Sequence, residues 1–336
     1  MTSQKTRSMK AVQITQDHSI RLIETDIPAI KADEVLVKPC ACGICGTDLH
    51  ILRHGFPGTN YPVIPGHEFA GHIVEIGRDV TGLKEGDFVA VDPNVTCGTC
   101  RWCKIGRPNL CETLTPIGVG RPGAAADYVA TPARNSFTVN ENLGGNVAAM
   151  IEPLACVLHA IERSQGVTGK DVLVFGGGTM GLLTAIVSAL RGADRVVLAD
   201  PAPGKRTIAE AAGVPETTTP ADLGRESFDV VFEAAGAKPA LTQAIDLVQK
   251  NGVLVQVGVL DETDTVPFNP FRIYERELRI IGSNSCADRF PEAVDVMSDI
   301  AEQVRPLIDD SHLVWDFEAA VSDMAKGLSI KTQLHF

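Results

Sequence analysis

Between residues 10 and 145 the apolar positions fall in short runs broken by glycine and proline: KAVQI, IRLIETD, EVLVKPCACG, AGHIVEIG and GDFVAVDP. Short runs bounded by turn formers predict strands, and no long stretch here repeats with a helical period. A helical stretch follows near 146–165. From residue 170 the texture changes. KDVLVFGGGTMGLLTAIVSALRGADRVVLAD reads as strand, glycine turn, an apolar helix over 180–190, and a second strand. FDVVFEAAG (228–236), NGVLVQVGV (251–259) and ELRIIGS (277–283) add strands, the last at a sheet edge. Strands alternating with helices predict a mostly parallel, doubly wound sheet covered on both faces. The fold class is therefore α/β with a strand-rich first part.

A chain of 336 residues suits two domains of ordinary size. The net charge of −12 and the lack of a basic patch interleaved with aromatics speak against nucleic-acid binding. No apolar run reaches the roughly eighteen residues that a membrane helix needs. The N-terminus, MTSQKTRSMK, is polar and has no apolar signal core, so the sequence reads as cytoplasmic. That compartment is reducing, and the nine cysteines call for an account other than disulfides.

Four of them fall within residues 97–111, CGTCRWCKIGRPNLC, as Cys97, Cys100, Cys103 and Cys111. A C-x2-C-x2-C-x7-C run can close a tetrahedron of thiolates around one ion. Soft sulfur selects zinc or an iron–sulfur cluster, and zinc is preferred because nothing else suggests electron transfer. All four positions are then filled by protein, which makes the site structural. Arg101, Lys104 and Arg107 in the same loop offset the thiolate charge.

The stretch after residue 170 carries its own chemistry. Gly176-x-Gly178-x2-Gly181 follows the VLVF strand directly, and RVVLAD ends in Asp200, nineteen residues after Gly181. Gly176 permits the tight turn, and Gly178 lets backbone approach a pyrophosphate at the helix start formed by Thr179 and Met180. Gly181 lets helix and strand pack closely. Strand, turn, helix, strand and acid all fall where a dinucleotide fingerprint requires them. Asp200 suits the adenosine ribose hydroxyls and repels a 2′-phosphate, which favours NAD over NADP. Lys205 and Arg206 follow and work against that preference.

Upstream, CACGICGTDLH (40–50), GHEFAGHIVEIGRDV (66–80) and IEPLACVLH (151–159) gather further cysteine, histidine and glutamate. Read singly, His72, His159, Cys40, Cys42 and Cys156 are packing or hydrogen-bonded residues. The run Gly66-His67-Glu68-x2-Gly71-x5-Gly77-x2-Val80, with Cys45 in GICGTD, the cysteine lobe and the nucleotide motif in the same order, resembles the zinc-containing medium-chain alcohol dehydrogenases over residues 9–330. The resemblance implies that Cys45 and His67 ligate a catalytic zinc, with Glu68 beside it and ligating in some states. Glu152 stands where many family members carry a third cysteine, as in the polyol and sugar dehydrogenase branch. Thr47 is implied to take the substrate proton, His50 to pass it on, and Asp48 to orient His67.

The resemblance also implies a GroES-like catalytic domain over residues 1–150, a Rossmann domain over 151–283, and a return to the catalytic domain over 284–336, with zinc and nicotinamide meeting in the cleft between them. The expected activity is hydride transfer between NAD and a secondary alcohol, a polyol or sugar alcohol, with two zinc ions per subunit. The expected assembly is a homodimer or homotetramer, with no nucleic-acid or membrane partner. A dinucleotide-binding member without turnover and a zinc-free quinone or enoyl reductase are the alternatives. Cys45, His67 and Glu152 together disfavour the second of these. One departure bears on substrate: sorbitol dehydrogenases carry an arginine–tyrosine pair where this chain has Ser285 and Cys286, leaving Arg289 as the nearest arginine. Threonine, butanediol and sugar-phosphate substrates stay open.

Overall fold

The computed structural model describes residues 8–327 and 329–336; the first seven residues of the polar N-terminal stretch lie outside them. The chain divides into two compact units. One comprises Met1–Glu152, Val294–Ser298 and Ile308–Phe336, the other Pro153–Ala293 and Asp299–Leu307.

The first unit is built from strands. β1 (Ser8–Ile14) pairs antiparallel with β2 (Ile20–Asp26). β3 (Glu34–Gly43) is the spine of a second sheet, pairing antiparallel with β4 (Glu68–Ile76), which pairs with β5 (Phe88–Val91). β6 (Val129–Pro132) pairs with β3, and β7 (Ser136–Thr138) closes against β5. Val35, Val37, Phe69, Ile73, Val89 and Val91 form the core of this unit with Val12 and Ile14. Fully burying one such side chain contributes roughly 1.5–3 kcal/mol. The runs predicted as strands in this part are strands.

The second unit carries six parallel strands in the order β10-β9-β8-β11-β12-β13. They are β8 (Asp171–Phe175), β9 (Arg195–Ala199), β10 (Glu216–Thr218), β11 (Phe228–Glu233), β12 (Val248–Gln256) and β13 (Arg279–Gly282). Val172, Leu173, Val174 and Phe175 are all buried, because helices cover both faces of β8. The helix Thr179–Leu190 buries Leu182, Leu183, Ala185 and Val187. β8 is flanked by β9 and β11, so strand order reverses at its carboxyl end, where doubly wound sheets take their ligands. This is a Rossmann-type sheet, and the first unit is strand-rich. β12 begins before the predicted 251–259 run: Val248 already pairs with Phe228, and a register shift spanning the left-handed Asn251 (φ 61°) follows before Val253 pairs with Val230.

The chain then returns to the first unit as β14 (Ile308–Leu313) and β15 (Lys331–His335). β15 pairs antiparallel with β3, setting Gln333 opposite Gly43 and Leu334 opposite Cys42. The adjacent ends of β15, β3 and β4 build the site described next. Among the described residues, no single helix is long and apolar enough to cross a membrane.

Candidate active site

β3 and β4 are in register with Gly43 opposite Glu68. The turn leaving β3 therefore delivers Cys45 beside His67, which immediately precedes β4. The Cys45 sulfur, a His67 ring nitrogen and a Glu68 oxygen all lie within 4.8 Å of one another. His67 and Glu68 are buried and Cys45 is half-buried. A soft sulfur, an imidazole and a carboxylate at this spacing fit a divalent transition metal such as zinc.

The electrostatics fit a cation. Burial opposes protonation of His67, yet the Cys45 thiol, Asp48 and Glu152 outweigh it and push the pKa well above 6.5. His67 Nδ1 and Asp48 Oδ1 are buried without a hydrogen-bond partner and face each other at 3.9 Å. Asp48 is fixed by its other oxygen, which accepts from the Cys45 backbone N–H at 2.9 Å. Asp48 thus lies on the His67 side, at a distance longer than a hydrogen bond.

Glu152 opens the helix Ile151–Arg163 and is buried. It does not join the trio of ligand atoms within 4.8 Å. Burial drives its pKa up to about 7, partly offset by the nearby His67, while Glu68 and Asp92 add to the rise. Thr47 and His50 lie on the helix Gly46–Arg53, three residues apart and on one face. The Thr47 hydroxyl is 3.8 Å from the Cys45 sulfur.

Nothing in the sequence around Lys331 marks it as part of a site. It is a lysine in an unremarked strand, and its partners lie more than 260 residues away. From β15 its ammonium donates to Glu68 and to the Ile44 carbonyl, the latter at 3.0 Å, and it is buried. Gly43 makes room for the pair, since a Cβ there would run into Glu68 Oε2 and the Lys331 side chain.

The four lobe cysteines also come together, their sulfurs all within 4.8 Å of one another. The Thr99 and Cys100 backbone N–H groups donate to the Cys97 sulfur at 3.4 and 3.2 Å, and the Cys97 N–H donates to Cys111 at 3.3 Å. The Thr99 and Cys100 donors bring the Cys97 pKa down to about 5, while burial and its thiol neighbours push Cys103 up to about 12. Arg101 stacks over Trp102, 5.2 Å from the ring centroid. Cys40, Cys42, Cys156, His72 and His159 join no metal-ligand cluster among the described residues.

In the second unit, Gly178 caps the helix Thr179–Leu190, so the first-turn N–H groups of Thr179, Met180 and Gly181 have no acceptor within the helix. A Cβ at Gly181 would collide with the Gly176 carbonyl, which is why this turn needs glycine. Asp200, at the end of β9, is buried and accepts from the Gly177 N–H at 2.7 Å and the Ala202 N–H at 2.8 Å. Arg206 donates to the carbonyls of Asp200 and Pro201, and Lys205 is half-buried against Gly177. Glu233, at the end of β11, was not singled out from sequence. Its oxygens accept from the Ala235 N–H and the Gln256 amide, both at 3.0 Å, shaping the turn beside the glycine loop. Its only signal was an acid closing an apolar strand. Cys286 is buried between Ser285 (φ 58°) and Ala287 (φ 47°). The Arg289 guanidinium is engaged by Glu162, Asp288 and Glu292 at 3.0–3.3 Å, which occupies it within its own unit.

Residues 31–141 match the alcohol dehydrogenase GroES-like domain, and residues 179–299 match the zinc-binding dehydrogenase family. The chain is 33% identical over 307 residues to D-altritol 5-dehydrogenase of Agrobacterium fabrum, covering 89% of this chain and 91% of that one. It is 34% identical over 335 residues to L-threonine 3-dehydrogenase of Streptomyces avermitilis, covering 95% and 97%. A crystal structure described as a zinc-binding dehydrogenase of Sinorhizobium meliloti bound to NADP superposes with a TM-score of 0.93 at 35% identity, covering 98% and 100%.

Proposed function

The chain belongs to the zinc-binding dehydrogenase family, NAD-dependent oxidoreductases of small alcohols, and from that premise we propose that it oxidises a secondary alcohol of the polyol or sugar-alcohol class. The observation that carries this reading is the convergence of Cys45, His67 and Glu68 beside the Thr47 hydroxyl. The donor set fits zinc, and Cys45 and His67 would hold it with Glu152, directly or through water. When bound, the metal supplies Lewis acidity that stabilises an alcohol oxygen without its proton. Thr47 Oγ1 accepts that proton as it releases its own hydroxyl proton, which His50 passes toward solvent. Asp48 acts on His67 by charge across 3.9 Å and favours the ring orientation that turns Nδ1 toward it. Lys331 holds Glu68 by charge, so that Glu68 borders the metal as a reserve ligand. The lobe cysteines would hold a second, structural zinc.

The nicotinamide cofactor is taken at the Thr179 helix start, with Asp200 set for the ribose. The NADP-bound relative and the flanking Lys205 and Arg206 make NADP the competing cofactor. Glu152 in place of a thiolate favours polyols, while the threonine dehydrogenase relative makes threonine the second substrate reading. Nine free cysteines agree with a cytoplasmic location. A homodimer or homotetramer is supported by the edge strand β13, where Ile280 is exposed, and by exposed Phe271 and Tyr274.

The test is a panel of C4 to C6 polyols, vicinal diols and threonine with NAD and NADP, read by reduced-cofactor absorbance. Turnover of polyols with NAD supports the reading. Turnover of threonine alone replaces it with the second reading, and no turnover with metal-replete protein overturns it.

A further inference from the structure

The helix Gly46–Arg53 is followed at once by His54, one turn beyond His50. His50 Nδ1 lies 3.1 Å from His54 Nε2, and the rings meet edge-on with centroids 5.3 Å apart. His54 is exposed, whereas His50 is half-buried with Phe56 on one side at 6.3 Å between ring centroids. The His54 backbone N–H still bonds the His50 carbonyl at 3.1 Å, so the pair is held by helical geometry as well as by its side chains. Each neutral imidazole has one donor and one acceptor nitrogen, so two facing nitrogens at this distance share one proton.

We propose that His54 is a positioning residue that extends the proton path by one imidazole, from His50 to bulk water; this rests on the relay reading of Thr47 and His50 above. His50 gains a proton at Nε2 and gives up the one on Nδ1. His54 accepts that proton at Nε2 and releases its own Nδ1 proton to water. One proton enters and one leaves, the hydride's electron pair goes to the nicotinamide, and the tautomers reset by exchange with water. The two rings are the same chemical group, and a proton between the facing nitrogens can be held by either ring. Two adjacent imidazolium ions repel, so a proton on one ring opposes a second proton on the other. The other titratable groups packed around this turn are Arg53, His18 and Tyr61, the last two both bonded to the Ile51 carbonyl. Glu318 and Asp323 lie on the helix Phe317–Ala325, which packs against this one.

The experiment compares wild type with His54→Gln, His50→Gln and the double variant, using metal-replete protein and the fastest substrate of the panel at low buffer concentration. His54→Gln is expected to lower alcohol oxidation about 3- to 10-fold below about pH 7, less than the loss of a group that takes the substrate proton directly. The effect should vanish in the His50→Gln background, and added imidazole should restore the single variant. An NMR pH titration without substrate should show His50 and His54 titrating together in wild type, and His50 titrating as one simple group in His54→Gln. If His50→Gln shifts the pH profile but His54→Gln leaves both profile and His50 titration unchanged, the extension is overturned and the relay stands. If neither variant moves the profile, or no panel member turns over, relay and extension fall together.

Discussion

Lys331 on the last strand donates to Glu68 at the head of β4, and both side chains are buried. The contact is placed by register. Gln333 opposite Gly43 and Gly43 opposite Glu68 bring three strand ends to one point. Burial works against the Lys331 charge, but Glu68 and Cys45 raise its pKa above 10.5. The stability this lysine contributes is therefore complete at neutral pH and lost only as pH rises through its folded pKa. Lys331→Met leaves Glu68 as a buried, unpaired carboxylate. Removing one partner of a buried pair typically destabilises by about 3–5 kcal/mol. Denaturant unfolding of metal-free protein should show a loss of that order, partly recovered in the Lys331→Met/Glu68→Gln double variant. A single variant as stable as wild type would show that the pair is not formed.

His67 and Glu152 set a pH dependence of opposite sign with and without metal. His67 is raised above 6.5 in the metal-free fold, so the stability it contributes is present below 6.5 and lost as pH rises through its folded pKa. Glu152 titrates at about 7 rather than 4.5, so the fold holds more protons than the unfolded chain across that window and loses stability as pH rises. Metal binding needs both groups unprotonated and runs the other way. Chelated protein should therefore become less stable from about pH 6 to about pH 8, while the rise in Tm on adding zinc grows over the same interval. A zinc increment that stays constant across that range would remove these two groups from the metal site.

Where the sequence was legible, the reason is local. The short apolar runs KAVQI and EVLVKPCACG, the glycine turn before Thr179 and the spacing of the lobe cysteines are each set within about twenty residues, and each is found in the fold. Cys45 and His67 could be paired only through a family signature, because the antiparallel β3–β4 pairing that brings them together is not written in either segment alone. Lys331, His54 and Glu233 were invisible for the same reason. A strand lysine, a surface histidine and a strand-end acid acquire meaning only from partners that register or helix pitch brings within hydrogen-bond reach.

The lobe and the catalytic cluster are separate, so gently purified protein should contain two zinc ions per subunit by elemental analysis. Chelation should remove the catalytic ion first, since a glutamate ligand holds zinc less tightly than a fourth thiolate. In stripped protein Cys97, with a pKa of about 5, is a thiolate at neutral pH and should be the first lobe cysteine alkylated, as read by mass spectrometry. Zinc should protect it. Cys100→Ser should impair folding or assembly more than the chemical step, because structural zinc contributes folding energy. Unchanged stability together with a lost step would reverse the assignment of the two sites.

Asp200 is expected to set the cofactor. Its oxygens accept from the Gly177 and Ala202 N–H groups, which fix the carboxylate beside the glycine loop. Asp200→Ala should raise KM for NAD and narrow its lead over NADP, with kcat less affected. Wild-type protein that prefers NADP would defeat this argument and direct attention to Lys205, whose side chain packs over the same loop.

The proton path separates the mechanism from the fold. Oxidation of an alcohol leaves its hydroxyl proton to be carried away, and Thr47 is the hydroxyl beside Cys45 on the helix that carries His50. Thr47→Ser keeps the hydroxyl and should retain much of the activity. Thr47→Val keeps the shape and removes donor and acceptor. Loss of a positioned proton-transfer group typically lowers the rate roughly 10²- to 10⁴-fold, and that fall should appear in kcat with zinc content unchanged. His50→Gln should do less harm at high pH, since water can replace a relay member farther from the reacting atom, and should mainly alter alcohol oxidation below about pH 7. The measurement is the pH–rate profile of the three variants, each with its metal content determined. Should Thr47→Val oxidise the substrate as fast as wild type, the proton leaves by another group. Glu152 is then the first to substitute, because its carboxyl titrates at about 7 and it lies among the same buried residues.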